Sequence, residues 1–272
     1  MELRRGNELS VTALTHAWNL GYTGYFTPIH FTEEQFAQWM QAGSFDLTRS
    51  LLLMDGDRPA GFSFLGVRED RGWIGGFGIA PDYRGKGLAY QLFHDHVELA
   101  RQTGLRTVQL EVLVENWAQK VYARAGFRVT RRLSILQGTL PRPVAQPGVR
   151  EVCPSQVLPY SGQLHGDHPP VWQREPESLR VSMPDSAQAL VVGPEHAPTG
   201  YLIYQHAADR VRILDGTGDR AATETLVQTL AHRFPGLPVS LVNEPEGSPL
   251  HQTLTALGCT EPRAQWEMRW SR

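Results

Sequence analysis

The sequence predicts a mixed α/β fold, an α+β arrangement on a mixed sheet, built twice over. Leu51 to Ala80 carries three β-rich runs punctuated by turn residues, and the glycine-containing turn Arg84 to Ala89 then opens a stretch with helical spacing. Val108-Gln109-Leu110 and Gly126-Phe127 recur as Val239-Ser240-Leu241 and Gly258-Cys259, at spacings that differ by one residue, which makes internal duplication the simplest account of the second half.

A chain of 272 residues is long for one compact core and suits two domains. Pro141, Pro143 and Pro147 fall in a stretch without apolar period, so residues 138–148 read as an extended connector between domains 1–137 and 149–272. Net charge is -2, from 26 basic and 28 acidic residues spread along the chain, so no basic footprint for a nucleic-acid partner exists. Cys153 and Cys259 form neither a CxxC nor a Cys/His pair, which excludes a disulfide framework or zinc site. No apolar run approaches the ~20 residues needed to cross a bilayer, and the first residues lack a continuous apolar signal core. A cytoplasmic protein with neither membrane nor nucleic-acid partner is expected.

In the first half, Ser10 to Leu20 and Thr32 to Met40 read as helices, the second opened by the capping-box pair Thr32 and Gln35. Leu51 to Asp55, Ala60 to Val67 and Trp73 to Ala80 read as an antiparallel meander. Leu88, Leu92, His96, Leu99 and Ala100 then mark one face of a helix capped near Gly104. Thr107 to Val112, Ala118 to Ala125 and Phe127 to Leu136 complete the order αα βββ α β α β. Ala221 to Phe234, Ser248 to Leu257 and Arg263 to Trp270 mirror the later elements. In the second copy the segment matching the glycine turn is Asp215 to Arg220, whose two aspartates oppose anion binding.

A strand, a glycine turn and a helix start gather unpaired backbone N–H groups at the positive end of a helix dipole, which suits a phosphate or pyrophosphate. Gly85 and Gly87 permit close approach and Lys86 adds a point charge. On the preceding strand, Gly75, Gly76 and Gly78 are costly and mark a bulge or a close backbone approach, as a ligand lying on this strand would require.

Arg84-x-x-Gly87-x-Ala89, followed by Leu110-Glu111-Val112, Asn116, Ala118, Tyr122 and Gly126-Phe127, resembles the two signature blocks of the GNAT superfamily of N-acyltransferases. The resemblance covers residues 1–136 well and the remainder as a degenerate second copy. It implies a tandem GNAT-like fold that moves an acetyl group from acetyl-CoA, a co-substrate, directly to an amine-bearing small molecule or peptide in a ternary complex. The pyrophosphate would lie on the amides of Arg84, Gly85, Lys86, Gly87, Leu88 and Ala89, and the pantetheine along Phe77, Gly78 and Ile79. Asn116 would supply a further pantetheine contact, although it precedes Ala118 by two residues where the family usually has three.

The same resemblance makes Tyr122 the proton donor to the departing thiolate. Strand alternation puts Glu111 on the face opposite Leu110 and Val112, where it serves as general base or simply faces solvent. A water relay would remove the need for a named base, and His30 is an alternative. Tyr22, Tyr25, Phe26, His30 and Phe31 crowd the region that walls the acceptor pocket in the resembling family, and local core packing explains them equally well. A non-catalytic acyl-CoA sensor is the rival reading, and an enzyme acting on thiol, hydroxyl or amino-sugar acceptors a third. His165-Gly166-Asp167-His168 lacks a distant fourth ligand and makes a poor metal site, so no metal is expected. His94 and His96 are expected in solvent. Trp172, Trp266 and Trp270 pack a core, shape a cleft or bury a homodimer contact.

Overall fold

The computed structural model describes residues 1–26, 28–141 and 146–272. In chain order the elements are β1 (Glu2–Arg5), α1 (Val11–Gly21), α2 (Glu33–Ala42), β2 (Leu51–Asp55), β3 (Arg58–Arg68), β4 (Arg71–Ile79), α3 (Leu88–Gln102), β5 (Thr107–Leu113), α4 (Gln119–Arg124) and β6 (Arg128–Thr139). There follow β7 (Val149–Val152), α5 (Pro154–Val157), α6 (Ser161–His165), α7 (Pro176–Ser182), β8 (Gln188–Val192), β9 (Gly200–His206), β10 (Val211–Gly218), α8 (Arg220–Arg233), β11 (Pro238–Pro245), α9 (Pro249–Ala256) and β12 (Thr260–Ser271). Residues 142–145 of the proline-rich connector lie outside the described residues.

Two compact units result. The first comprises Met1–Thr130 together with Glu267–Arg272, the second Arg131–Trp266.

In the first unit β1 to β4 pair antiparallel in sequence order, and β4 pairs parallel with β5. Alternation along β2 divides the sheet's two faces. Leu52 and Met54 pack with Leu14, Trp18, Phe36, Phe62 and Phe64 under α1 and α2, whereas Leu51 and Leu53 pack with Ala60, Ile79 and Leu92 under α3. Ser10 caps α1 through Ala13 N–H, and Thr32 and Gln35 exchange both bonds of the capping box on α2. The last residues of the chain complete this unit. Arg272 N–H donates to Arg106 O at 2.9 Å, Trp270 is buried with the Arg101 guanidinium over its ring, and Thr130 Oγ1 donates to the Glu267 carbonyl.

The order αα βββ α β α β needs one addition, the edge strand β1. Its Glu2-Leu3-Arg4-Arg5 sequence has no apolar alternation because it pairs on one side only, with β2, and stays largely exposed. His96 also corrects the sequence reading. It is fully buried on the inner face of α3, with Nε2 donating to Arg49 O at 2.8 Å and Nδ1 in contact with Ser63 Oγ, while His94 remains exposed.

In the second unit the strands run β6, β11, β10, β9, β8, β7, antiparallel except for the parallel pair β10 and β11. Leu190, Leu202, Tyr204, Leu226, Leu230, Leu241 and Leu254 fill the core between this sheet and α8 and α9. Trp172 is buried in the same unit, so it packs a core.

Candidate active site

The strands β4 and β5 separate partway along. Arg71, Gly72 and Trp73 pair with Thr107, Val108 and Gln109, and no ladder position follows. Beyond that point one edge of β4 has no β partner among the described residues. Ala80 N–H donates back to Ala60 O at 2.9 Å, so by alternation Phe77 and Ile79 turn their main-chain groups into the gap.

An extra residue, Gly75, bulges out of β4 where the register against β3 shifts between Phe64 and Leu65. The reason for the glycines of this strand differs from the sequence expectation of a ligand lying close. A Cβ at Gly76 would stand 2.3 Å from Trp18, one at Gly75 2.5 Å from Phe45, and one at Gly78 2.8 Å from Phe62. The protein's own aromatic rings hold these positions to glycine.

After β4 a short 3-10 turn, Pro81–Tyr83, leads into Arg84 to Gly87 and the start of α3. Gly85 and Gly87 take φ of +74° and +79°, the left-handed region open to glycine, and nothing stands within 4 Å of a Cβ built on either. Backbone conformation alone selects glycine here. The Arg84 amide donates to Pro81 O at 3.2 Å, so the run of free donors begins one residue later than the sequence suggested. The N–H groups of Gly85, Lys86, Gly87, Leu88 and Ala89 have no acceptor among the described residues, and Gly87 offers α3 no side-chain cap. Five consecutive donors at a helix start form an anion cradle. Lys86 Nζ is engaged elsewhere, on Asp82 O at 2.8 Å.

Phe77 stands at the gap with its ring edge-on to Phe93 at 5.3 Å and to Tyr122 at 5.9 Å. Tyr122 on α4 is itself buried and packs on Phe93 at 4.6 Å. Burial raises the Tyr122 phenol well above its ordinary range, and the Tyr22 and Tyr25 phenols act in the same sense. Burial raises Tyr22 too, with the Phe77 N–H opposing. Two phenols held in the protonated form, Tyr22 and Tyr122, therefore meet at Phe77. Tyr22 and Tyr25 meet edge-on at 5.1 Å, and Asn19 secures the α1–α2 link by pairing both its amide groups with the backbone of Phe31. His30 is exposed in that link.

Glu111 lies just past the last paired position of β5, and Trp73 Nε1 donates to its Oε2 at 2.8 Å. Asn116 turns its Oδ1 to the Ala118 N–H at 2.9 Å, where it helps start α4. The structure thus brings Phe77, Ile79, the 85–89 turn, Tyr122 and Glu111 to one gap, with Asn116 on the loop that follows β5.

The second unit carries the same division of strands with different contents. β10 and β11 pair over Val211 to Ile213 and Val239 to Leu241 and then part, and Leu214 bulges from β10 as Gly75 does from β4. Arg174 bridges the two strands. Its Nε and Nη2 donate to Asp215 Oδ1 at 3.0 and 2.8 Å, and its Nη1 donates to Glu244 Oε2 at 2.6 Å. Tyr201 and His165 contact the other Asp215 oxygen, and Ser248 donates to Glu244. Burial alone would raise Asp215, but His165 and Arg174 hold its carboxyl far below the usual carboxylate range. Asp215 is therefore a buried strand residue and no part of a turn. Only Asp219 stands at the helix start, where it caps α8 through Ala222 N–H. Sequence reasoning missed Arg174, because nothing local distinguishes it from a surface arginine.

Residues 12–127 match the Acetyltransferase (GNAT) family, whose members pass an acyl group from acyl-CoA to an amine. The match puts a GNAT-family domain within this first unit. No curated protein matches the sequence. Solved structures match over nearly the whole chain. A GCN5-related N-acetyltransferase from Sphaerobacter thermophilus has a TM-score of 0.68 at 16% identity, covering 99% of this chain and 95% of its own. A putative acetyltransferase from Pyrococcus horikoshii gives 0.67 at 15%, covering 100% and 89%. A tandem GNAT protein from the clavulanic acid biosynthesis pathway gives 0.63 at 15%, covering 99% and 98%. The fold is therefore a tandem GNAT fold. Among the described residues no helix is long and apolar enough to cross a membrane.

Proposed function

We propose that the first unit binds acetyl-CoA and passes its acetyl group directly to the amine of a small molecule or peptide in a ternary complex. The observation that carries this reading is the run of unclaimed N–H groups from Gly85 to Ala89, set at the end of a strand whose Phe77 and Ile79 edge has no β partner. A diphosphate fits the first feature and an amide-bearing arm fits the second.

Each residue then has a task. Main-chain donors at the gap meet the charge that develops on the thioester oxygen. Glu111, oriented by Trp73, takes the proton from the attacking amine, and neutral Tyr122 gives one to the leaving thiolate. Tyr22, Tyr25 and Phe26 present an apolar wall to the acceptor. In the second unit Arg174 and its partners fill the equivalent gap, so one coenzyme binds per chain.

Calorimetric titration with acetyl-CoA tests the binding step, with one site per chain expected. Release of CoA across a panel of amines, with mass spectrometry of the products, tests the transfer. Tight binding without turnover on any amine, thiol, hydroxyl or amino-sugar acceptor would instead favour a sensor.

A further inference from the structure

Arg84 begins the turn, yet its side chain serves other elements. Nε donates to Ile79 O at 2.9 Å, and Nη2 donates to Gly21 O at 3.0 Å and to Thr23 O at 2.8 Å. Gly21 closes α1 and Thr23 lies just beyond it, where helix carbonyls lack intrahelical partners and carry partial negative charge. Among the described residues no carboxylate forms an ion pair with Arg84, so three carbonyls alone fix its guanidinium. Through its backbone the same residue leads directly to Gly85, the first free donor. The α1 end that it grips carries Tyr22, with Tyr25 packed against that ring and Phe26 against Tyr25.

We propose that Arg84 is a positioning residue that links donor binding to the acceptor wall. With phosphates fixed on Gly85 to Ala89, the guanidinium holds the end of α1 in the place that sets Tyr22 beside Phe77 and Tyr25 against Tyr22, and the amine then binds productively after acyl-CoA. This rests on the reading of the turn as the acyl-CoA cradle. Arginine is suited to the task because its planar fork reaches carbonyls on two elements at once, whereas a lysine ammonium is a compact point charge.

Amide hydrogen exchange of the full chain, with and without CoA, tests the link in wild type, Arg84→Met and Arg84→Lys. In wild type CoA should slow exchange in both 85–89 and 21–26. In both variants protection of 85–89 should persist while that of 21–26 is lost, and the KM for the amine should rise about tenfold with the KM for acetyl-CoA within about twofold. Thermal melts report folding, and Arg84→Lys gives the answer if Arg84→Met fails to fold. Protection of 21–26 in the variants equal to wild type would overturn the link, and so would loss of protection at 85–89, which would make Arg84 a ligand contact. Absence of protection at 85–89 in wild type would overturn the acyl-CoA reading itself.

Discussion

The indole of Trp73 donates to the carboxylate of Glu111 across the last point at which β4 and β5 are still paired. The bond fixes an acidic group at the mouth of the gap, on a strand that carries apolar residues on either side of it. Glu111→Gln keeps an acceptor for Trp73 and so preserves packing, but it removes the proposed base. Turnover should fall about 100-fold or more with acetyl-CoA affinity unchanged, as read by CoA release and calorimetry. Activity within threefold of wild type would show that water alone takes the proton.

Tyr122→Phe keeps the ring contacts with Phe77 and Phe93 and removes only the hydroxyl. The maximal rate should drop about 10- to 100-fold with an unchanged KM for acetyl-CoA. Because burial raises this phenol, its acid form persists beyond the ordinary tyrosine range. The wild-type rate should therefore show no alkaline decline with an apparent pKa at or below about 10. A decline there that vanishes in Tyr122→Phe would show the phenol ionising normally.

Gly87→Ala introduces a side chain at φ +79° where nothing packs against it. Holding the left-handed conformation would cost about 1–2 kcal/mol. With no neighbours to enforce it, the exposed turn should relax instead and turn its donors away. The Kd for CoA should rise about tenfold while Tm moves by only about 2 °C. An unchanged Kd in calorimetry would separate the turn from coenzyme binding.

His96 gives stability a pH signature. Burial depresses its pKa to about 4 from the usual 6.5, partly opposed by the bond to Arg49 O. The unfolded chain therefore binds the proton more readily than the folded chain. The contribution of neutral His96 is complete above about pH 6.5 and is lost as pH falls towards 4, by up to about 3 kcal/mol. Urea denaturation of wild type and His96→Gln at pH 7 and 4.5 should show the gap between them narrowing at the lower pH. A constant gap would refute the assignment.

Arg174→Met would leave Asp215 and Glu244 buried without their counter-charge. The loss should be about 3–5 kcal/mol, borne by the second unit. Denaturant unfolding followed by hydrogen exchange in β10 and β11 measures it, and a change below about 1 kcal/mol would show water entering to replace the guanidinium.

Local signals were legible in the sequence where the chemistry is local. Thr32 and Gln35 mark the start of α2 because a capping box spans only three residues, and Gly85 and Gly87 mark the turn because a positive φ needs no distant partner. The long, periodic helix α3 and the recurring strand pattern of the second half were equally plain. Partnerships across the fold were not. His96 reads as one more polar residue until Ser63 and Arg49, 33 and 47 residues away, close around it. Arg174 finds its carboxylates 41 and 70 residues further along. Gly76 invites a ligand in the sequence because nothing there shows that the Trp18 ring will take the space.

The membership of Glu267–Arg272 in the first unit bears on how the protein is made. Trp270 is buried there, in contact range of Gly126 and beneath Arg101, so that unit's core stays incomplete until these residues leave the ribosome. An N-terminal domain ordinarily folds while the rest is still being synthesised. Here the unit that emerges earlier must wait for a segment that follows the whole of the second unit, with its aromatic interior open to chaperones in the interval.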